Sequence, residues 1–204
     1  DLDAVVHNFN FYKSKLRPDT RLVCMVKANG YGAGATEIAK TLQYHRCDYL
    51  AVAVAEEGLL LRKEGISLPV IVLNPEVNGF EELFTHDLEP EVYNFRILEA
   101  YIKEAERRGI TGYPIHLKID SGMHRLGFLP EQIPALTERL ATQKGLKGFS
   151  VFSHLSASES WVFDDFTHRQ METFRQAANA IEQALQYRIW KHILNSAGME
   201  RFPD

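Results

Sequence analysis

The chain has 204 residues, enough for one large domain or two small ones with a sizeable buried core. Hydrophobic residues make up 45% and charged residues 25%, ordinary values for a soluble globular protein. A net charge of -4 leaves no polycationic footprint for nucleic acid or an anionic membrane surface, and no apolar run approaches the ~20 residues of a membrane span.

The first segment places Leu2, Val5, Val6, Phe9, Tyr12 and Leu16 at helical spacing. It lacks the basic flank and apolar stretch of a signal peptide. RLVCMV then reads as a short buried strand ending at Lys27. Cys24, inside that run, reads as a small buried hydrophobe. With Cys47 the only other cysteine, a reduced, cytoplasmic setting is expected and a disulfide is not. A glycine loop follows, and Ala35 to Arg46 forms a helix. DYLAVAV is a second strand, and EEGLLLRKEG a helix stopped by Gly65. LPVIVLN is a third strand ending at Asn74, and LEPEVYN a weaker fourth. FRILEAYIKEAERRG is helical up to Gly109. PIHLKID is a fifth strand. EQIPALTERLA is helical, with Pro134 in its first turn. LKGFSVFSHL is a sixth strand, Phe174 to Leu185 a long helix, and IWKHILN a seventh strand.

Strand and helix thus alternate from end to end. The strands are apolar runs, as suits parallel strands covered on both faces. No linker or charge block interrupts them, so residues 1–204 read as one continuous α/β domain. It is either an open doubly wound sheet or a (β/α)8 barrel missing its last unit. The sequence starts without methionine and stops without a closing pattern, so a longer parent is expected.

Polar residues recur at one structural position, the C-terminal ends of strands: Lys27, Asn74, Asp120 with Arg125 close behind, His154, and Asn195 with Ser196. In a parallel sheet or barrel these ends share the face that holds the active site. Gly30-Tyr31-Gly32-Ala33-Gly34-Ala35 fits the dinucleotide fingerprint G-x-G-x-x-A, with Glu56 or Glu57 near the place of a ribose-binding acid. Against a dinucleotide, Lys27-Ala28-Asn29 stand between the strand and the first glycine. A lysine on an active face is instead suited to Schiff-base chemistry once its surroundings lower its pKa. In HLKIDSGMHRLGF, Lys118 and Asp120 point the same way along a strand, and Gly122 and Gly127 frame Arg125. His154 fits a core position or the flank of an aromatic ring. Ser196 offers a short hydroxyl for a phosphate oxygen. The eight histidines show no H-x-x-x-H or Cys/His pairing, so no metal is expected.

The stretches VKANGYGAG, KIDSGMHRLGF, SHLSASE and LNSAG, in this order, resemble the alanine racemase family of pyridoxal phosphate enzymes. The first two together are highly specific and the last two weaker. The resemblance is nearest to the racemase domain that some bacteria fuse behind a muramoyl-peptide ligase. It implies a (β/α)8 TIM-type barrel, here cut to about seven strand–helix units, with the eighth strand and a C-terminal β domain beyond Asp204. It implies that Lys27 carries pyridoxal 5'-phosphate and acts as the base on one substrate face. Tyr31 would bind the phosphate and Arg125 the cofactor's phenolic oxygen. Lys118, carbamylated in some members, would orient Arg125. His154 would pack against the ring, with Asn195 and Ser196 near ring and phosphate. The opposite-face base is a tyrosine of the missing part, supplied by the partner subunit of a homodimer. Two positions depart from the family: Ala33 where histidine is usual and Gly30 where alanine is usual.

The implied activity is interconversion of L-alanine and D-alanine for peptidoglycan synthesis in the cytoplasm. Residues 1–204 alone are expected to be inactive, having one base. A non-catalytic pyridoxal phosphate-binding barrel and a nicotinamide-dinucleotide dehydrogenase are the other readings.

Overall fold

The computed structural model describes residues 1–76 and 79–202. The chain divides into two compact units, Asp1–Glu91 and Val92–Asp204.

In the first unit, α1 (Leu2–Lys15) starts at Asp1, whose side chain accepts from the backbone of Asp3 and Ala4. Four parallel strands follow in order: β1 (Val23–Met25), β2 (Tyr49–Val52), β3 (Val70–Val72) and β4 (Leu88–Val92). Val23 pairs with Tyr49, Leu50 with Val70, and Val70 with Leu88. Leu50, Val52, Val70 and Val72 are fully buried. Covering both faces of a sheet explains why these strands carry no polar alternation. Pro90 and the buried Glu91 lie inside β4, which is why its sequence signal was weak.

The connecting elements are the short α2 (Lys27–Tyr31), α3 (Ala35–Tyr44), α4 (Ala55–Lys63) and α5 (Phe80–Thr85). α4 has Glu56 and Glu57 in its first turn and Arg62 and Lys63 in its last, the charge order that suits a helix dipole. It lies so close to β4 that a Cβ on Gly58 would meet Leu88 at 2.9 Å. α5 had no strong periodicity to announce it, being only six residues long. Cys24 and Cys47 are both free thiols, and Cys47 Sγ donates to the Tyr49 carbonyl at 3.2 Å.

In the second unit, α6 (Phe95–Arg108) is capped by Asn94, whose side chain accepts from Ile97 N. It buries Ile97, Leu98, Tyr101, Ile102 and Ala105 and ends at Gly109 with φ 66°. Three parallel strands follow: β5 (Tyr113–Lys118), β6 (Leu146–Phe152) and β7 (Trp190–His192). Between them run a 3-10 turn, Pro130–Gln132, then α7 (Ile133–Ala141) and α8 (Asp164–Leu185), while α9 (Ser196–Arg201) follows β7. α8 begins ten residues before the apolar stripe that revealed it. Its first turns bury Thr167 and Gln170 rather than apolar side chains, so hydrophobic periodicity could not find its start.

The pairing of β5 with β6 contains a bulge. Ile115 faces Gly148, but His116 faces Ser150, so Phe149 is the extra residue. The shift sets His116 opposite Ser150 and Lys118 opposite Phe152.

Candidate functional site

Within each unit the strands are parallel, so their C-terminal ends form one edge. Lys27 lies two residues past β1 and Asn74 two past β3. Asp120 lies two past β5, His154 two past β6, and Asn195 three past β7.

In the first unit, Lys27 opens α2 and is half-buried. Among the described residues its amine makes no hydrogen bond or ion pair. The glycine loop of the sequence is a left-handed turn: φ is 50° at Ala28, 52° at Asn29, 62° at Gly30 and 57° at Tyr31. Left-handed geometry costs roughly 1–2 kcal/mol per non-glycine residue. The turn is held by bonds from Gly30 N to Val26 O (2.9 Å), Gly32 N to Ala28 O (2.9 Å) and Gly34 N to Asn29 O (3.0 Å). Ala35 N also donates to the Asn29 side chain at 3.0 Å. Gly30 suits the turn through its φ of 62°, and the end of the Ile38 side chain lies 2.9 Å from where a Cβ would sit. Tyr31 is presented outward, 67% exposed. Glu57, one of the two acids considered for a ribose, has both carboxylate oxygens taken up by backbone: Ala28 N at 2.6 Å and Ala53 N at 2.7 Å.

In the second unit, Lys118 ends β5 and is 8% exposed, with its Nζ 4.2 Å from the centre of the Phe152 ring. This is a cation–π contact in a largely dry place. The loop after β5 closes on itself: Asp120 N donates to Phe128 O and Phe128 N to Lys118 O. Inside it, the Asp120 carboxylate accepts from Gly122 N (2.9 Å), His124 N (3.0 Å) and, pairing with the ring, His124 Nδ1 (3.1 Å). Burial raises the Asp120 pKa, but these bonds outweigh it and hold the carboxyl below its ordinary value. The loop presents Arg125, exposed and without a hydrogen bond or ion pair among the described residues.

The loop after β6 is fixed from below. Buried Gln170 of α8 donates to His154 O and accepts from Ser156 N. Ser153 Oγ donates to Ile119 O and receives Ser121 Oγ, each at 2.7 Å. Asn195 caps α9 by accepting from Gly198 N at 2.9 Å. It also accepts from Ser158 Oγ (2.8 Å) and donates to Leu155 O (3.2 Å). Its amide thus ties the ends of β6 and β7 together and sets Ser196, whose hydroxyl is on an exposed residue, at the first position of α9.

Sequence reasoning missed three parts of this second-unit arrangement. One is the Asp120–His124 pair. Another is Arg201, which joins Ser158 O (2.7 Å) to the Asp164 carboxylate (2.7 and 2.9 Å). The third is a polar chain beneath the strand ends. Ser150 Oγ lies 2.7 Å from His116 Nδ1 and 3.2 Å from His192 Nε2, and His192 stacks on Phe152 at 4.8 Å. Burial first, then His116 and Lys118, push the His192 pKa well below the ordinary imidazole range. The only signal in sequence was the alternation His116-Leu-Lys118 and Ser150-Val-Phe152.

The family model for "Alanine racemase, N-terminal domain" matches residues 1–204. Alanine racemase 1 of Oceanobacillus iheyensis is 36% identical over 205 residues, covering 100% of this chain and 54% of that protein. Alanine racemase of Cutibacterium acnes is 38% identical over 184 residues, covering 89% and 48%. Among solved structures, alanine racemase of Clostridium difficile 630 in complex with cycloserine superposes with a TM-score of 0.92 at 32% identity, covering 99% of this chain and 56% of that one. The chain spans about half the length of the curated relatives it matches. Its α/β fold is that of the family's N-terminal barrel domain, with seven strands, each followed by a helix, among the described residues. The chain belongs to the alanine racemase family.

Proposed function

We propose that the full-length protein is a pyridoxal phosphate-dependent alanine racemase and that residues 1–204 form its cofactor-binding barrel domain. The observation that carries this reading is the recurrence of polar groups just past the ends of β1, β3, β5, β6 and β7, with Lys27 and Arg125 uncommitted to any partner among the described residues. The donor set suits the cofactor: an amine for an aldehyde, a guanidinium and hydroxyls for oxyanions. When bound, the cofactor supplies the carbonyl and an electron sink for charge left at the substrate Cα.

The chain's own residues divide the remaining work. Lys27 Nζ takes or returns a proton on one face of the amino acid. Tyr31 and Ser196 would hold the phosphate through their hydroxyls, Arg125 would donate to the phenolic oxygen, and His154 would pack against the ring. Lys118, seated on Phe152, matches the lysine that is carbamylated in some members of the family and in that form would orient Arg125. Asn195 sets the position of Ser196. A tyrosine outside residues 1–204, from the partner subunit of a homodimer, serves the other face. Alanine is the substrate, and the product feeds peptidoglycan synthesis in the cytoplasm.

Borohydride reduction of the full-length protein with pyridoxal phosphate, followed by peptide mapping, tests the assignment. The pyridoxyl adduct is expected on Lys27, and an adduct on another lysine overturns it. Residues 1–204 alone should not convert L-alanine, and measurable conversion would refute the two-base reading.

A further inference from the structure

The acid that the sequence offered to a ribose has a different task in the structure. Glu57 is the third residue of α4, and one carboxylate oxygen accepts from Ala28 N at 2.6 Å while the other accepts from Ala53 N at 2.7 Å. Ala53 lies just past the end of β2, and Ala28 directly follows Lys27. A single carboxylate therefore ties the tip of the neighbouring strand to the peptide unit shared by Lys27 and Ala28.

That peptide unit begins the left-handed turn. Ala28, Asn29 and Tyr31 each hold φ between 50° and 57° without being glycine. A run of such residues persists only where its surroundings over-determine it. Most of the bonds that do so are internal to the segment from Val26 to Ala35. Glu57 is the clamp from another element. An ionised carboxylate is acceptor-only and satisfies both N–H groups at once. A carboxamide has one acceptor oxygen and turns a donor toward the other N–H, so it leaves one unsatisfied.

We propose that Glu57 is a positioning residue for the cofactor lysine: its carboxylate locks the left-handed turn and so fixes the direction from which the Lys27 amine meets its partner. This rests on the reading of Lys27 given above. A small misplacement of a reacting group is enough to cost a large factor in rate.

The test compares wild type, E57Q and E57D in the full-length holoenzyme. Three quantities are measured: the dissociation constant for pyridoxal phosphate, the pH dependence of the visible absorbance of the lysine-bound cofactor, and hydrogen exchange at the Ala28 and Ala53 amides. E57Q should weaken cofactor binding about tenfold or more, move the absorbance profile along the pH axis, and speed exchange at Ala28. E57D keeps the charge but shortens the reach, so it should fall between the two. Unchanged binding and an unmoved absorbance profile in E57Q overturn the proposal. If E57Q does not fold, E57D decides, and wild-type values in E57D overturn it. Failure of the underlying reading looks different: the borohydride adduct of wild type maps away from Lys27, while exchange at Ala28 still depends on Glu57.

Discussion

Asp120 holds His124 by two bonds at once, from the backbone N–H at 3.0 Å and the ring Nδ1 at 3.1 Å. His124 sits at φ 56°, a conformation unfavourable for a residue with a side chain, and its ring is 77% exposed. The backbone bonds therefore matter more than the ion pair, which solvent screens. D120A leaves the N–H groups of Gly122 and His124 without their acceptor and should destabilise the full-length protein by about 2–3 kcal/mol. H124G relieves the left-handed strain while giving up only the exposed ring contact, so it should stay within about 1 kcal/mol of wild type. Urea unfolding measures both. Equal losses in the two variants would show that the ring, not the backbone, carries the interaction.

Gly127 closes the same loop with no room to spare. A Cβ there would lie 2.4 Å from Asp120 N and 2.6 Å from Ile119 C, at a φ of 130°. Both neighbours are backbone, so neither can swing away. G127A should cost more than about 3 kcal/mol and release Arg125 from its place, seen as lost solubility or, on the proposed reading, as weaker binding of pyridoxal phosphate. Gly65 is the control: its φ is 85°, but nothing lies within 4 Å of its Cβ position. G65A should cost only the left-handed strain, about 1–2 kcal/mol. Comparable losses at the two sites would remove the crowding argument.

These contacts also mark where sequence reading stops. The alternation of strands and helices was legible because strand burial and helix periodicity are local patterns: α6 shows its whole buried face in Ile97, Leu98, Tyr101, Ile102 and Ala105. The positions of Lys27, Asp120, His154 and Asn195 past strand ends were legible for the same reason. What each side chain touches was not. The bulge at Phe149 decides that Lys118 faces Phe152, and one residue of register carries no signal in composition. The left-handed run from Ala28 to Tyr31 was hidden because only one of its four residues is glycine. Glu57 was noticed only as one of two acids near the place of a ribose in the dinucleotide alternative, and its contacts were not legible, because the donors to its carboxylate are backbone N–H groups from two other segments.

Arg62 stabilises the far end of the first unit, away from Lys27. Its guanidinium donates to four carbonyls: His86 (2.9 Å), Ile66 (2.9 Å), Leu68 (2.7 Å) and Asp87 (2.8 Å). These flank the starts of β3 and β4, where the chain enters the strands. A planar fork reaches several acceptors that an ammonium cannot. R62K should therefore lose about 2–3 kcal/mol of stability despite keeping the charge. On the proposed racemase reading, the turnover of the folded full-length protein should stay near wild type, because the strand ends that carry Lys27 and Asn74 are opposite. A fall in turnover number without a fall in melting temperature would contradict this division.

His192 makes stability depend on pH in a definite direction. Burial, His116 and Lys118 depress its pKa in the folded protein, so it remains neutral at pH values where an unfolded imidazole, with its pKa of about 6.5, takes up a proton. The unfolded state then binds more protons, and stability falls as pH drops below about 6.5, by at most ~1.4 kcal/mol per pH unit for this group. The depressed carboxyls, Asp120 among them, act lower, since their contribution is lost only as pH falls through their folded values. The interval from pH 6.5 to 5 therefore isolates the imidazole. H192Q removes the titration, so its melting temperature should fall less steeply than wild type across that interval, whatever its value at pH 7. Histidines away from the Ser150 chain are the same in both proteins and cancel in the difference of slopes, and H116Q measured alongside separates the part of the difference that comes from His116, which is coupled to His192. Parallel slopes would mean that His192 is protonated in the folded state, and that Ser150 does not hold it as a neutral member of the chain to His116.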